Sequence, residues 1–173
     1  MAATPHPDSA TFAINCAIVT VSDTRTVETD RSGQLIRQLL NDAGHQVVAY
    51  VILKDEPVQI QAELEQLSQR SDVAAVIING GTGIAPRDTT YDAIAALLEK
   101  TLPGFGELFR WLSYQDIGSR AMASRAIAGV FRAKLVFSIP GSTGAVTLAM
   151  QALILPELRH LVSQIHTTAT NKQ

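Results

Sequence analysis

Three short runs rich in β-branched and aliphatic residues, INCAIVTV (Ile14–Val21), QVVAYVIL (Gln46–Leu53) and DVAAVIIN (Asp72–Asn79), are separated by two segments of helical periodicity. This alternation constrains the fold more than any other feature of the chain. Parallel strands cannot be joined by a tight turn, and an intervening helix supplies the crossover. In the first helical segment, GQLIRQLLNDAGH, Leu35, Ile36, Leu39 and Leu40 share one face and Gly44 is the stop signal. The second begins at Pro57, a favoured first helical residue, with Ile60, Leu64 and Leu67 at i, i+4 and i+7. The third strand run is apolar enough to be covered on both faces. The opening therefore reads β-α-β-α-β, a parallel sheet with helices on both sides.

The second half of the chain extends that plan. Helical patterns cover Asp92–Leu98 and Phe105–Leu112. AIAGVFRAKLVFSI reads as two strands, Ile127–Phe131 and Leu135–Ile139, and the break at Arg132–Lys134 is short enough only for an antiparallel pair. A helical stretch, Gly144–Leu153, precedes a proline-initiated turn or helix, Pro156–Ile165. The expected fold class is α/β, a three-layer α/β/α domain with a mostly parallel mixed sheet and an antiparallel edge strand. It is expected to be a single domain over residues 13–165, between flexible polar tails at 1–12 and 166–173.

Composition removes several function classes. The net charge of −2, with no basic run, argues against nucleic-acid binding, which needs clustered Lys and Arg. No apolar run approaches a membrane span, and the N-terminal residues lack the pattern of a signal peptide. The single cysteine, Cys16, lies in an apolar run and reads as a buried small hydrophobe, which suits a reducing cytoplasm. The four histidines show no metal-ligand spacing.

In open parallel sheets ligands collect at the carboxyl ends of the strands. Four loops fall there: SDTRT, KDEP, GGTG and PGST. Gly80, Gly81, Thr82 and Gly83 can form an anion nest, and a tight strand-to-helix turn accounts for them equally well. The P-loop lysine is missing, and Pro86 stands where a dinucleotide fingerprint has its last glycine. Asp88 and Thr89 suit a helix N-cap. A carboxylate at an anion site also suggests a bridging cation, and Mg2+ takes one or two carboxylates plus phosphate oxygens. Asp55 lies at the same sheet edge and is equally placed to cap the helix at Pro57. In SDTR, Ser22, Asp23 and Arg25 offer a hydroxyl, a carboxylate and a guanidinium just after a strand, and an Asx- or ST-turn explains Ser22 and Asp23 equally well. Ser124 and Arg125 offer a phosphate contact, or a solvated arginine. Pro140, Gly141 and Ser142 open a further anion-friendly helix start. Arg87 fits a phosphate contact and a solvated helix entry alike.

Taken together, VSDT, KDE, GGTG with RDTT, PGFGELFR, LSYQDIGSRAMASRAIAGV and LVFSIPGST, in that order, resemble the molybdenum cofactor biosynthesis family that includes MogA, MoaB and the gephyrin G domain. The MoaB branch is the nearest, and the resemblance runs from about Ile14 to Leu161. It implies a molybdopterin-binding α/β/α fold. For active members it implies adenylylation: the terminal phosphate of molybdopterin attacks the α-phosphate of Mg-ATP and pyrophosphate leaves. The two family aspartates match Asp55 and Asp88, implied here as catalytic and magnesium-holding. The glycine loop matches Gly80–Gly83, and the pterin-phosphate loop matches Gly141–Ser142. A homotrimer or homohexamer is implied, with hand-over to a molybdenum insertion enzyme. A non-catalytic carrier of the same fold is the alternative. Asn79 stands where a small hydroxyl residue often precedes GGTG, and Lys54 replaces a proline common before the first aspartate. Phe105, Phe109, Trp111 and Tyr114 gather in one segment, as core or as a subunit interface.

Overall fold

The computed structural model describes residues 12–167. The tails expected over 1–12 and 166–173 lie outside them, save Phe12 and the last two residues of a helix that runs to Thr167. The elements in order are β1 (Asn15–Val21), α1 (Arg31–Asp42), β2 (Gln46–Leu53), α2 (Pro57–Gln69), β3 (Ala75–Asn79), α3 (Thr90–Ala95), β4 (Lys100–Thr101) and α4 (Pro103–Ile117). A 3₁₀ turn over Gly118–Ala123 leads to β5 (Ile127–Phe131) and β6 (Lys134–Ile139). The last helical stretch comprises α5 (Thr143–Ala149), a π-turn (Met150–Ile154) and α6 (Leu155–Thr167).

The six strands form one mixed sheet in the order β2-β1-β3-β6-β5-β4. β1, β2, β3 and β6 are mutually parallel, and β5 runs antiparallel to both β6 and β4. The expected antiparallel strand is therefore present, but a two-residue strand, β4, covers its outer side and forms the edge. So short a strand carries no periodicity that a sequence can show.

Alternate residues of each central strand feed two cores, one on each face. Cys16, Ile18, Ile77 and Phe137 pack against Ile36, Leu40, Phe109, Val146, Ile154 and Leu158 on the side of α1, α4, α5 and α6. Ala17, Val19, Val76, Ile78 and Val136 pack against Ile60, Leu64, Leu67 and Ile94 on the side of α2 and α3. The apolar stripe of α2 is thus fully used, and Gly44 ends α1's segment at φ 78°. Burial pushes the Cys16 thiol up to about 12, so it is protonated and inert at neutral pH.

The C-terminal region corrects two expectations. A break at Pro156 is absent, because α5, the π-turn and α6 are continuous. The Leu155 N–H donates to the Met150 carbonyl, five residues back. That wider turn gives room to a proline that has no N–H and whose ring crowds an ordinary α-turn. Fusion of the two segments makes Thr143–His166 a 24-residue helix long and apolar enough, by length and composition only, to cross a membrane. Its Val146, Ala149, Met150, Ile154, Leu158 and Val162 are buried against the sheet, as in the core helix of a folded domain.

Candidate functional site

The carboxyl ends of β1, β3 and β6 are in register, pairing Thr20 with Asn79 and Asn79 with Ile139. The loops that follow these strands are therefore forced together. Gly80 follows β3 at φ 101°, and a Cβ there would lie 2.2 Å from the Val21 carbonyl oxygen. Gly81 has φ 63°, and a Cβ there would meet Asp55 Oδ2 at 2.1 Å and Thr90 Oγ1 at 2.2 Å. Both conditions, left-handed backbone and close approach, admit only glycine. The second glycine loop packs directly on the first, since a Cβ at Gly141 would stand 3.0 Å from the Gly80 Cα.

These loops line a cleft of about 480 Å³. Of the residues read from the sequence, Ser22, Gly80, Gly81, Thr82, Gly83, Asp88, Ser124, Pro140 and Gly141 lie on its wall. Arg25 of the same SDTR stretch lies there too, with Thr24, and Arg120 joins them. Arg120 rides on the 3₁₀ turn Gly118–Ala123, and sequence reasoning missed it. Its only signal was membership of the segment GSRAMASRA, in which Arg125 is the more conspicuous cation.

Asp23, Asp55, Thr89, Arg125 and Ser142 stand outside the lining and support it. Asp55 is 5 % exposed. Its Oδ1 accepts from the Thr89 N–H (3.1 Å), the Thr89 hydroxyl (2.7 Å) and the Thr90 hydroxyl (3.3 Å). It therefore caps α3, across the chain, instead of α2, whose start has no side-chain cap. Asp23 Oδ1 accepts from the Asp55 N–H at 3.2 Å. Arg87 grips Asp23 through Nε (2.8 Å) and a terminal nitrogen (2.9 Å), and reaches Glu56 Oε1 at 2.8 Å. Arg87 is exposed to solvent and stands off the cleft wall, and its ion pairs tie the RDTT segment to the first two strand loops. The Arg87 hydrogen bonds, followed by the Asp55 N–H, hold the Asp23 carboxyl below its ordinary value.

Arg125 stacks on Tyr91 at 4.2 Å from the ring centroid, pairs with Asp92 and donates to the Gly83 carbonyl at 3.1 Å. It fixes the glycine loop from behind. Ser142 is the N-cap of α5, its hydroxyl accepting from the Ala145 N–H at 3.2 Å. Ser22 accepts from the amides of Thr24 (3.3 Å) and Arg25 (3.2 Å), a turn that carries Arg25 into the cleft.

The charge pattern that results is two guanidinium groups and one carboxylate around glycine backbone. Among the described residues none hydrogen-bonds to or ion-pairs with the Asp88 carboxylate or the Arg120 guanidinium. No group of three or more His, Cys, Asp or Glu among them is arranged as a metal cage. Such a cleft suits a phosphate-bearing ligand whose own oxygens complete any cation's coordination.

Known proteins share the sequence and the fold that carry this cleft. The family described as "Probable molybdopterin binding domain" matches residues 17–160. The chain belongs to that family, among the molybdenum cofactor biosynthesis proteins. It is 55 % identical over 166 residues to the molybdenum cofactor biosynthesis protein B of Halalkalibacterium halodurans, covering 95 % of this chain and 98 % of that one. A crystal structure of a molybdenum cofactor biosynthesis protein B superposes with a TM-score of 0.89 at 55 % identity, covering 91 % and 99 % of the two chains. The tungsten cofactor synthesizing protein MoaB of Pyrococcus furiosus superposes with a TM-score of 0.81 at 33 % identity, covering 90 % and 99 %. A molybdopterin-binding family implies that a small molecule is bound, and the cleft residues Val21 to Gly141 fall within the matched span.

Proposed function

We propose that the chain is a molybdopterin adenylyltransferase, joining the terminal phosphate of molybdopterin to the α-phosphate of Mg-ATP with release of pyrophosphate. The observation that carries this is Asp88: an uncommitted carboxylate on the wall of a cleft otherwise built from glycine backbone, hydroxyls and arginine. A carboxylate repels phosphate unless a cation lies between them. In the reaction one phosphate oxygen of molybdopterin forms a bond to the α-phosphorus. The bond from that phosphorus to the pyrophosphate oxygen breaks, and the electron pair leaves with pyrophosphate.

The attacking phosphate is already anionic at neutral pH, so catalysis rests on positioning and charge neutralisation. The Gly80–Gly83 and Pro140–Ser142 loops receive phosphate groups, and Arg25 and Arg120 offset their charge. Magnesium, when bound, withdraws charge from phosphate oxygens. The donor set fits such an ion at Asp88. Asp55 has three donors on Oδ1 and is nearly buried, so its part is to hold Thr89 and Thr90, and with them the loop bearing Asp88.

Assembly and setting belong to the same proposal. Phe105 and Phe109 are core, whereas Trp111 and Tyr114 on α4 are 60 % and 62 % exposed, beside exposed Leu108, Ile117 and Met122. That apolar face is where a homotrimer or homohexamer would form. A cytoplasmic location accords with a lone, buried, unpaired cysteine. The adenylylated product would pass to a molybdenum insertion enzyme.

The test supplies wild type and Asp88→Asn with molybdopterin and Mg-ATP and quantifies adenylylated pterin. Wild type is expected to turn over, and Asp88→Asn to lose about two orders of magnitude in rate with molybdopterin affinity held within about threefold. Pterin-saturated wild type that forms no product, or a variant as fast as wild type, overturns the reading. Binding without turnover is the behaviour of a carrier.

A further inference from the structure

Behind the cleft lies a buried acid that the proposed chemistry does not use. Asp30 is fully buried at the start of α1. Its Oδ1 accepts from the Gly33 N–H at 3.0 Å and from an Arg25 guanidinium nitrogen at 3.3 Å. Its Oδ2 accepts from the Tyr50 hydroxyl at 2.6 Å. The Thr20 hydroxyl is a further partner, and it in turn accepts from Asn79 Nδ2 at 2.8 Å. Asn79 precedes the first glycine loop, so the network joins the ends of β1 and β3 to the start of α1.

Helix capping alone does not account for this arrangement. Asparagine caps a helix as well as aspartate does and needs no buried charge. A buried carboxylate is costly unless paired and fully hydrogen-bonded. The charged partner here is Arg25, which lines the cleft. A second terminal nitrogen of Arg25 donates to the Gly141 carbonyl at 3.1 Å, and the Ser32 hydroxyl donates to the same oxygen at 2.6 Å. Two of the five guanidinium N–H donors are thereby directed at Asp30 and Gly141, and the others are left for a ligand. The arginine is held at both ends of its fork, so its long side chain has lost its rotamer freedom before any anion arrives.

We infer that Asp30 is a positioning residue: through Arg25 it fixes both the cationic wall of the cleft and the Gly141 carbonyl of the second glycine loop in the geometry that receives the phosphate of molybdopterin. This deepens the proposed function, resting on its assignment of the cleft to that phosphate and not on turnover. Asp30 does not touch the ligand. Its whole contribution to affinity passes through Arg25, which makes the two residues energetically coupled.

A double-mutant cycle on the full chain reads that coupling. Molybdopterin affinity is measured anaerobically without nucleotide for wild type, Asp30→Asn, Arg25→Ala and the double variant, with thermal midpoints alongside. Asp30→Asn retains an acceptor for the Gly33 N–H, so α1 stays capped. Arg25→Ala is expected to weaken binding about tenfold or more, and Asp30→Asn about fivefold. The double variant is expected to bind no more weakly than Arg25→Ala alone, while its midpoint still falls. Tyr50→Phe, which removes only the donor to Oδ2, is expected to lower the midpoint and leave affinity within about twofold. Overturning results are an Asp30→Asn affinity equal to wild type, a full repeat of its loss in the Arg25→Ala background, or an equal loss in Tyr50→Phe. Wild type that binds molybdopterin but yields no adenylylated product fails the enzymatic reading and leaves the cycle intact.

Discussion

At the scale of single residues, the site separates groups that hold from groups left open. Asp55, Asp23 and Arg87 are committed to one another and to α3, whereas Asp88 and Arg120 face the cleft without protein partners among the described residues. Sequence brought all three aspartates to one sheet edge but did not say which was spent on structure, because a capping carboxylate and a metal-holding one are the same residue type. Gly81 shows how tightly the committed set is packed. Gly81→Ala is expected to destabilise by about 2–3 kcal/mol, through its positive φ and the clash with Asp55, and to abolish molybdopterin binding. Urea midpoints and a binding titration check it. A second residue carries a pH signature. His45 is buried, its Nδ1 accepts from the Ile14 N–H at 3.1 Å, and burial followed by the Arg159 charge holds its pKa below the ordinary 6.5. The folded state thus resists protonation more than the unfolded state. Its contribution is full above pH 6.5 and is lost as pH falls from there through the depressed folded value. Thermal midpoints of wild type should fall over that window, and His45→Asn, which keeps an acceptor without titrating, should flatten the slope.

At the scale of elements, β-branched periodicity and apolar stripes made most strands and helices legible, and the two-sided core confirms why. Each central strand is covered on both faces, so its apolar residues need not alternate with polar ones. Elements whose cause is tertiary were not legible. β4 exists because β5 offers it an edge, and the π-turn at Met150–Ile154 exists because Pro156 must fit a helix that the sheet keeps continuous. The β5–β6 hairpin holds a local cost: Arg132 and Ala133 both have positive φ, at 45° and 61°, in a two-residue turn that ordinarily selects Asn-Gly. Arg132 is compensated by Glu65 and by the Phe131 ring, 5.1 Å away, while Ala133 gains no such contact. Ala133→Gly is therefore expected to raise stability by about 1 kcal/mol, measurable as a higher urea midpoint at unchanged slope. An unchanged or lower midpoint removes the strain argument.

At the scale of the whole molecule, the parallel core brings the loops after β1, β3 and β6 to one cleft, with the loop after β2 supporting it from outside, which is why residues more than a hundred positions apart share that cleft. The opposite outcome holds for α4. Its inner residues Phe105 and Phe109 complete the core, and its outer face leaves Leu108, Trp111, Tyr114 and Ile117 exposed. If copies of the chain associate through that face, Trp111→Glu should shift the sedimentation coefficient toward a smaller species at micromolar concentration without changing far-UV circular dichroism. A wild type that sediments only as monomer removes the association itself.

The sequence by itself determined the α/β plan, the strand ends that carry the site, and the glycines and acids gathered there. Those follow from local rules: periodicity of burial, the crossover that parallel strands require, and the backbone freedom of glycine. Only the tertiary structure decided that Asp55 caps a helix it does not precede, that Arg87 is a strut, that Arg120 enters the cleft, and that Asp30 stands behind Arg25. Each of these is a pairing between residues distant in the chain or between an element and a loop. Side-chain chemistry limits which pairings are possible, but packing selects the one that leaves no buried charge alone.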